Sequence, residues 1–524
     1  MRGGTRALVV VTVAQLSIAR SVWPIQTTVG GRPVDLDATL SVREVFEENR
    51  SSPHERTLER LRLRTAASLA DWLRFDSTTI GLNGGPTFLA DRAGVYSWDN
   101  VFQDLSPAVD FDEAYFDLFL PSLDLRIGKQ KVAWGKLDRT QPNDLVNPLT
   151  YTNPFLDEEA ERKIGVPALQ ASYYLPAAAL FPSESRLTAV WVPKYVPYRF
   201  FPASCQIEDH ASHCTVERWF PPALIPPTSF TVSAGRFRLP NGSLNPNIPV
   251  PLAFRTQNVS TPAWRFENSE AALRYSALVH DVDMALYYFH GFDAQPAFNL
   301  TAEAFAPPDL TNLSGLTMVS PKFHHIDSWG GDFAYAFDRF TVRGEGAFVR
   351  GRPFSRDLRV LVSDPQQIAG SLASALCQLA PQLCGLPGPP AGHAAVALPP
   401  ASVVRDAVEW GVGGDYVYEG YVLLLQLNQT DVLHNNVDLL IKDVETRLLA
   451  NLRKSFLSDT VQTQLVAIHA IESDYTIIRP KIFYQFTDHI GGEVGYLFIA
   501  GRAHSVGGQY RRNDEGWVRA EYKL

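Results

Sequence analysis

Apolar and polar residues alternate with a period of two through the C-terminal part of this chain. That pattern limits the possible folds more than any other feature of the sequence. Ile478, Pro480, Ile482, Tyr484 and Phe486 hold every second position, while Arg479, Lys481 and Gln485 hold the other face. The pattern returns in Val494, Tyr496 and Phe498, and again in Val518, Ala520, Tyr522 and Leu524. A side-chain period of two belongs to a strand with one apolar and one polar face. A water-soluble sandwich would alternate in the same way, so the connections between strands have to separate the two.

Those connections fall into two kinds. Tight joints at Pro121-Ser122, His280-Asp281, Asp338-Arg339, Glu419-Gly420 and Ser458-Asp459 take turns with long Pro-, Gly- and Asn-rich segments. The longest, about 198–262 and 352–404, carry the cysteines. Only the step from Glu472 to Tyr475 is short where a long one is due. Transmembrane barrels sort their connections like this, with short turns on the periplasmic side and longer loops outside. A propeller would repeat every 40–45 residues or so, and no such repeat is present. The pattern predicts an all-β antiparallel transmembrane barrel of about 16–18 strands, with both termini periplasmic.

The ends of the chain fit an envelope location. Arg2 and Arg6 precede the apolar run Ala7–Ala19, and Ser17-Ile18-Ala19 makes a small-x-small cleavage site. Residues 1–19 therefore read as a signal peptide and 20–524 as the barrel. The run is too short for a spanning helix, which needs about 20 apolar residues. Tyr522-Lys523-Leu524 resembles the C-terminal recognition signal of bacterial outer-membrane barrels, with Leu524 where Phe or Trp is usual. The expected surroundings are outer-membrane lipid. A formal net charge of −9 argues against a nucleic-acid partner.

Cys205 lies near Cys214 and Cys377 near Cys384, each pair inside a long loop. Local pairing in an exported chain points to two disulfides pinning surface loops. Convergence of both pairs on a metal, with His210 and His213, is the weaker alternative. No Cys-x-x-Cys-His or zinc-helix motif is present. His469 stands alone, and His324-His325 open a strand beside Asp327. No catalytic constellation emerges. The expectation is a protein without enzymatic activity, cofactor or metal.

In a membrane barrel the polar set of each strand faces the lumen. That rule sets Arg60, Arg62 and Arg64 inward as a basic ladder, with Leu61, Leu63 and Leu69 toward lipid. It also places Arg126, Arg274, Arg343, Arg453, Arg479, Lys481 and Arg519 inside, with the acids Asp332, Glu345, Asp415, Glu493 and Glu521. Either these charges form a translocation path for anionic solutes, or they cross-link neighbouring strands. The ladder is the best candidate for selectivity, because Glu59 is the only acid in its own segment. The segment Trp134, Gly135, Lys136, Asp138, Asp144, Asn147, Pro148 reads as a loop turning back on itself, with Arg139 and Gln141 alongside. It either binds a ligand or braces the loop on the wall. Asp364–Leu379 has mixed helical periodicity and is either a short amphipathic helix that plugs or caps the pore or a surface ornament.

Several segments resemble a large, mostly uncharacterised family of proteobacterial outer-membrane proteins. They are Leu125-Arg126-Ile127-Gly128-Lys129-Gln130 running into Trp134-Gly135-Lys136, then Asp144-Leu145-Val146-Asn147-Pro148. Met284–Gly291, Gly331–Ala334 with Arg343–Glu345, Lys454–Asp459 and Gly508–Asp514 also fit. The resemblance implies a porin-like barrel that passes a small or lipophilic solute. Genes of that family often sit beside resistance-nodulation-division pumps, which implies an inner-membrane pump and a periplasmic carrier as partners. The alternative is a plugged structural or binding barrel with disulfide-pinned surface loops.

Overall fold

The structure is a computed structural model. It describes residues 25–29, 31–47, 54–83, 108–150, 154–176, 182, 184–198, 203–208, 211–216, 219, 222–225, 229–233, 247–256, 262–293, 295, 297–305, 314–361, 374–375, 377–379, 381, 393–396, 398 and 400–524. The leader at 1–19, Cys384 and most of the 364–379 segment lie outside the described residues.

The strands run β1 (Ile25–Val29), β2 (Arg32–Glu47), β3 (His54–Ala70), β4 (Leu73–Asn83), β5 (Ala108–Leu120), β6 (Leu123–Gln130), β7 (Val166–Tyr174) and β8 (Arg186–Val192). Next come β9 (Ala203–Glu208), β10 (Ala211–Val216), β11 (Ser229–Ser233), β12 (Asn247–Thr256), β13 (Glu270–Val279), β14 (Val282–Phe292), β15 (Ala297–Phe305) and β16 (Ser314–Lys322). The last are β17 (His325–Phe337), β18 (Phe340–Ser355), β19 (His393–Val396), β20 (Ser402–Tyr418), β21 (Tyr421–Val432), β22 (Val444–Phe456), β23 (Val461–Ala470), β24 (Tyr475–Gln485), β25 (Ile490–Gly501) and β26 (Glu515–Lys523).

Eighteen of these close into one antiparallel barrel. The ring is β2 to β8, then β13, β14, β17, β18 and β20 to β26, and β26 returns to pair with β2. The short β1 folds back on β2 from Ile25 opposite Leu36 to Val29 opposite Arg32, just past the place where Lys523 pairs with Thr39. Both termini of the barrel thus lie at the short-turn end. Two-residue turns join β3–β4, β5–β6, β13–β14, β17–β18 and β20–β21 there, while β22–β23 and β24–β25 use four residues and β7–β8 a longer connection. His280 and Asp281 both have positive φ, 46° and 65°, as the type I′ turn that suits strand twist demands.

The outer face is apolar. Leu61, Leu63, Ile482, Val494, Phe498 and Val518 are exposed on it, matching the parity read from the sequence. Phe337, Phe340, Tyr418 and Tyr421 are exposed at the short-turn end, with Tyr416 packed between Phe340 and Tyr418, and Trp329 and Phe348 lie toward the long-loop end. An apolar band between aromatic girdles, on a barrel with no open edge, is what hydrocarbon requires of a spanning sheet. No described helix is long and apolar enough to cross a membrane.

Four expectations need correction. First, the inner face is not polar throughout. Tyr475, Ile477, Leu497, Ile499 and Trp517 point inward near the long loops and bury with Leu156 and Trp219. Loop residues fill that part of the lumen, so its wall packs like a soluble core. Second, β6 ends at Gln130, so the loop begins ahead of the Trp134 motif with which it was expected to open. The Lys131 and Val132 amides donate to the side chains of Glu113 (3.0 Å) and Asn147 (2.6 Å), not to the backbone of a neighbouring strand. Third, the loops expected at 198–262 and 352–404 run from 193 to 269 and from 356 to 401 between barrel strands.

Fourth, the segments read as Pro-, Gly- and Asn-rich connections carry strands of their own. They hold a second sheet in the order β10-β9-β12-β16-β15-β19, with β11 also on β12. Its β12–β16 pair is parallel and joins two different loops. A non-local pairing of that kind leaves no turn signal in the sequence. Cys205 and Cys214 sit directly opposite each other in the β9–β10 hairpin.

Candidate constriction loop

The segment between β6 and β7, residues 131–165, turns into the barrel rather than outward. Its first half is fixed by one carboxylate. Glu345, 5% exposed on the inner face of β18, accepts the backbone N–H groups of Lys136 (2.9 Å), Leu137 (3.3 Å) and Asn143 (2.7 Å). Gly135 enters this contact with φ +87°, a backbone angle that favours glycine. The adjacent strand β17 must also make room. A β-carbon on Gly330 would lie 1.8 Å from Asn143 Oδ1.

Neighbouring wall residues complete the clasp. Gln426 on β21 accepts from the Asp138 N–H and donates to the Asp138 carbonyl, both at 2.8 Å. Arg343 donates to the Lys136 carbonyl at 3.0 Å and pairs with Asp415 and Asp138. Lys136 reaches Asp283 at 2.6 Å and Asp332 at 3.5 Å. Trp134 packs on Tyr287, with ring centroids 5.6 Å apart. Arg274 also donates to the Tyr287 hydroxyl, at 3.2 Å. Inside the loop, Asp144 pairs with Lys163. The Pro148 carbonyl accepts the Ile164 N–H at 2.9 Å, closing the return.

The second half of the loop docks by charge. Asp157 pairs with Arg43 on β2 at 2.7 Å, and Glu161 with Arg60 on β3 at 3.1 Å. Glu158 meets Arg479 at 2.7 Å, Lys481 at 3.0 Å and Arg139 at 3.5 Å. Arg479, 2% exposed, also donates to the carbonyls of Phe155 and Leu156 at 2.9 and 3.1 Å. Burial pushes the Asp157 carboxyl up, but the Arg43 guanidinium outweighs it and holds it below its ordinary value. Burial also pushes Glu158 up, while Arg479, then Lys481 and Arg139, hold it down to about 2. These acids and Arg43 were missed in the sequence reading. The run Leu156-Asp157-Glu158-Glu159-Ala160-Glu161-Arg162 was their signal, since an acidic stretch inside a loop facing basic strands has an obvious place to go.

The predicted basic set therefore divides. Arg126 is held by Asp117 through two bonds at 2.7 and 3.0 Å and lies over the Tyr115 ring. Lys481 and Arg519 share Glu493 at 3.3 and 3.2 Å, and Arg519 also meets Glu521 at 3.5 Å. By contrast Arg62, Arg64 and Arg453 are exposed and make no ion pair among the described residues. Arg62 and Arg64 stand on the short-turn side of Arg60, opposite Thr39 and Asp37 of β2.

No family model matches this chain, and no curated protein does, so the resemblance to pump-associated barrels rests on its quoted motifs. Among solved structures, OccAB4 of Acinetobacter baumannii is similar at 9% identity and a TM-score of 0.44, over 95% of this chain and 98% of that one. OccK2 (OpdF) of Pseudomonas aeruginosa gives 8% and 0.43, over 94% and 97%. OmpF of Salmonella typhi, solved with daunomycin, gives 8% and 0.36, over 95% and 100%.

Proposed function

We propose that this protein is an outer-membrane diffusion channel for small solutes, narrowed by the inward loop 131–165, with the long loops extracellular and both termini periplasmic. One observation carries the reading. The 131–165 loop enters the lumen and its own acids neutralise the nearer wall cations, while, among the described residues, Arg62, Arg64 and Arg453 stay exposed toward the short-turn end. Such an arrangement leaves a basic inner vestibule below a fixed constriction, which favours anionic solutes.

Single-channel recording in planar bilayers tests the proposal. Stable conductance with anion preference is expected, and a larger conductance once residues 138–160 are replaced by a short linker. Absence of conductance in both forms would favour the plugged reading. The apolar packing of Phe155, Trp219 and Tyr510 near the long-loop mouth supports that second reading. The register of Cys205 against Cys214 supports a disulfide in the surface sheet, which a mass shift on reduction and alkylation tests. An inner-membrane pump and periplasmic carrier remain the proposed partners on the strength of the motifs. Their recovery with the barrel after in-cell crosslinking is the test.

A further inference from the structure

Three adjacent strands repeat one vertical order on the lipid-facing side. Moving from the long-loop end toward the middle, β14 presents His290, Tyr288 and Leu286, β17 presents Asp327, Trp329 and Gly331, and β18 presents Arg350, Phe348 and Gly346. Each strand thus shows a polar residue, then an aromatic, then a step in the middle band. Gly331 and Gly346 face each other there, and with Met284, Leu286, Trp410 and Val412 they line a groove of about 590 Å³ in the outer wall.

Gly331 has a packing reason, since a β-carbon there would lie 3.3 Å from the Ala285 carbonyl oxygen, but Gly346 has none. A β-carbon on Gly346 would meet nothing closer than Trp410 Cβ at 3.6 Å, an ordinary contact. Glycine inside a strand weakens it, and often marks a place where a ligand or another backbone comes close.

Above the groove the polar row carries an exposed cation beside an acid that other groups already hold. Asp327 is already engaged by His290 Nδ1 at 2.8 Å and by the Tyr288 hydroxyl at 3.0 Å. Arg350, its partner in the strand register, is exposed and makes no ion pair among the described residues. His325 is exposed beside it and stacks on His290 at 5.6 Å. We infer that this face binds one phosphorylated glycolipid of the outer leaflet. An acyl chain lies in the glycine groove, sugar rings lie on Tyr288 and Trp329, and a phosphate lies on Arg350, whose planar guanidinium suits phosphate oxygens. The inference rests on the reading that the long-loop end is extracellular.

Native mass spectrometry of the full-length barrel in mild detergent tests it, with diphosphoryl lipid A, its dephosphorylated form and phosphatidylglycerol as probes. Diphosphoryl lipid A is expected to bind tightest. Arg350→Gln should weaken that binding about tenfold, a loss of about 1.4 kcal/mol, and leave the dephosphorylated form unchanged. Gly346→Leu should weaken both glycolipids by filling the groove, with Gly346→Ala as the milder variant if the larger one misfolds. Equal binding of phosphatidylglycerol, an unaffected R350Q protein, or a wild-type dimer lost in G346L would each overturn the proposal. Both variants should keep wild-type conductance. Lost conductance with lipid binding intact would count against the channel and not against this site.

Discussion

Glu345 and Gly135 are in direct contact: a β-carbon on Gly135 would lie 2.7 Å from both carboxylate oxygens of Glu345. The carboxylate is thus shaped around a residue without a side chain. Gly135→Ala adds a methyl group where there is no room, at a φ that strains any L-residue. A backbone penalty of about 1–3 kcal/mol is expected before the clash is counted. Glu345→Gln keeps the size but offers an NH₂ where the wild-type protein has a second acceptor, so at least one loop N–H goes unpaired, at about 1–3 kcal/mol. Both variants should loosen the loop and leave the barrel closed. Noisy or enlarged conductance together with normal heat-modifiable mobility on gels is the expected result.

The arginine ladder should separate into two behaviours. Arg62→Gln with Arg64→Gln removes exposed charges whose field reaches about 8–10 Å at physiological salt. Selectivity should move toward cations with stability unchanged. Arg60→Gln instead strands Glu161, which lies 28% exposed. It should lower thermal stability by about 1 kcal/mol and change selectivity little. Reversal potentials in a salt gradient, measured beside melting curves for each variant, distinguish the two groups. Identical behaviour of all three arginines would contradict the split.

The barrel was legible in the sequence because lipid imposes one rule on every strand, and the two-residue turns announce themselves. Positive φ at His280 and Asp281 follows from the tightness of a joint that the sequence shows. The loop's path was not legible. The Gly135–Glu345 contact spans more than 200 residues, so no local period encodes it. Asn147 and Lys136 were picked out as a motif, but the partners that give them meaning, Gln130 and Asp283, lie on other strands. The apolar interior at Leu497 and Ile499 was hidden for a related reason. A strand buried on both faces loses its alternation, and only the loop residues Leu156 and Trp219 explain why those faces are dry.

Docking of the loop's acidic half should survive mild acid. Glu158 has its carboxyl pushed up by burial but held down by Arg479, Lys481 and Arg139, from 4.5 to about 2. A depressed carboxyl adds stability above its ordinary value and loses it as pH falls through the folded-state value. The contribution is therefore complete at pH 7 and at pH 5, and fades between about 4.5 and 2. Its size is modest, because the side chain is 43% exposed and solvent screens the pairs. Channel noise recorded stepwise from pH 6 to 2.5 should rise only below about pH 4. An onset near pH 6 would point to a different group.

Asn147 gives the sharpest test of how the loop is braced. Only 4% exposed, it accepts from the Val132 N–H at 2.6 Å and donates to the carbonyls of Gln130 and Ile164 at 3.1 and 2.8 Å. One side chain thus satisfies three backbone groups at the two places where the loop leaves and rejoins the wall. Asn147→Leu removes all three bonds without changing the size much and should cost about 3–5 kcal/mol. Asn147→Asp keeps the acceptor for Val132 but turns a carboxylate oxygen toward two carbonyls. It should therefore be the worse variant at pH 7, and should recover in part at pH 4.5, where protonation restores one donor. Melting curves of the three proteins at both pH values check the order. An Asp variant as stable as wild type at pH 7 would mean that the two carbonyls find other donors, and that Asn147 does not hold the loop.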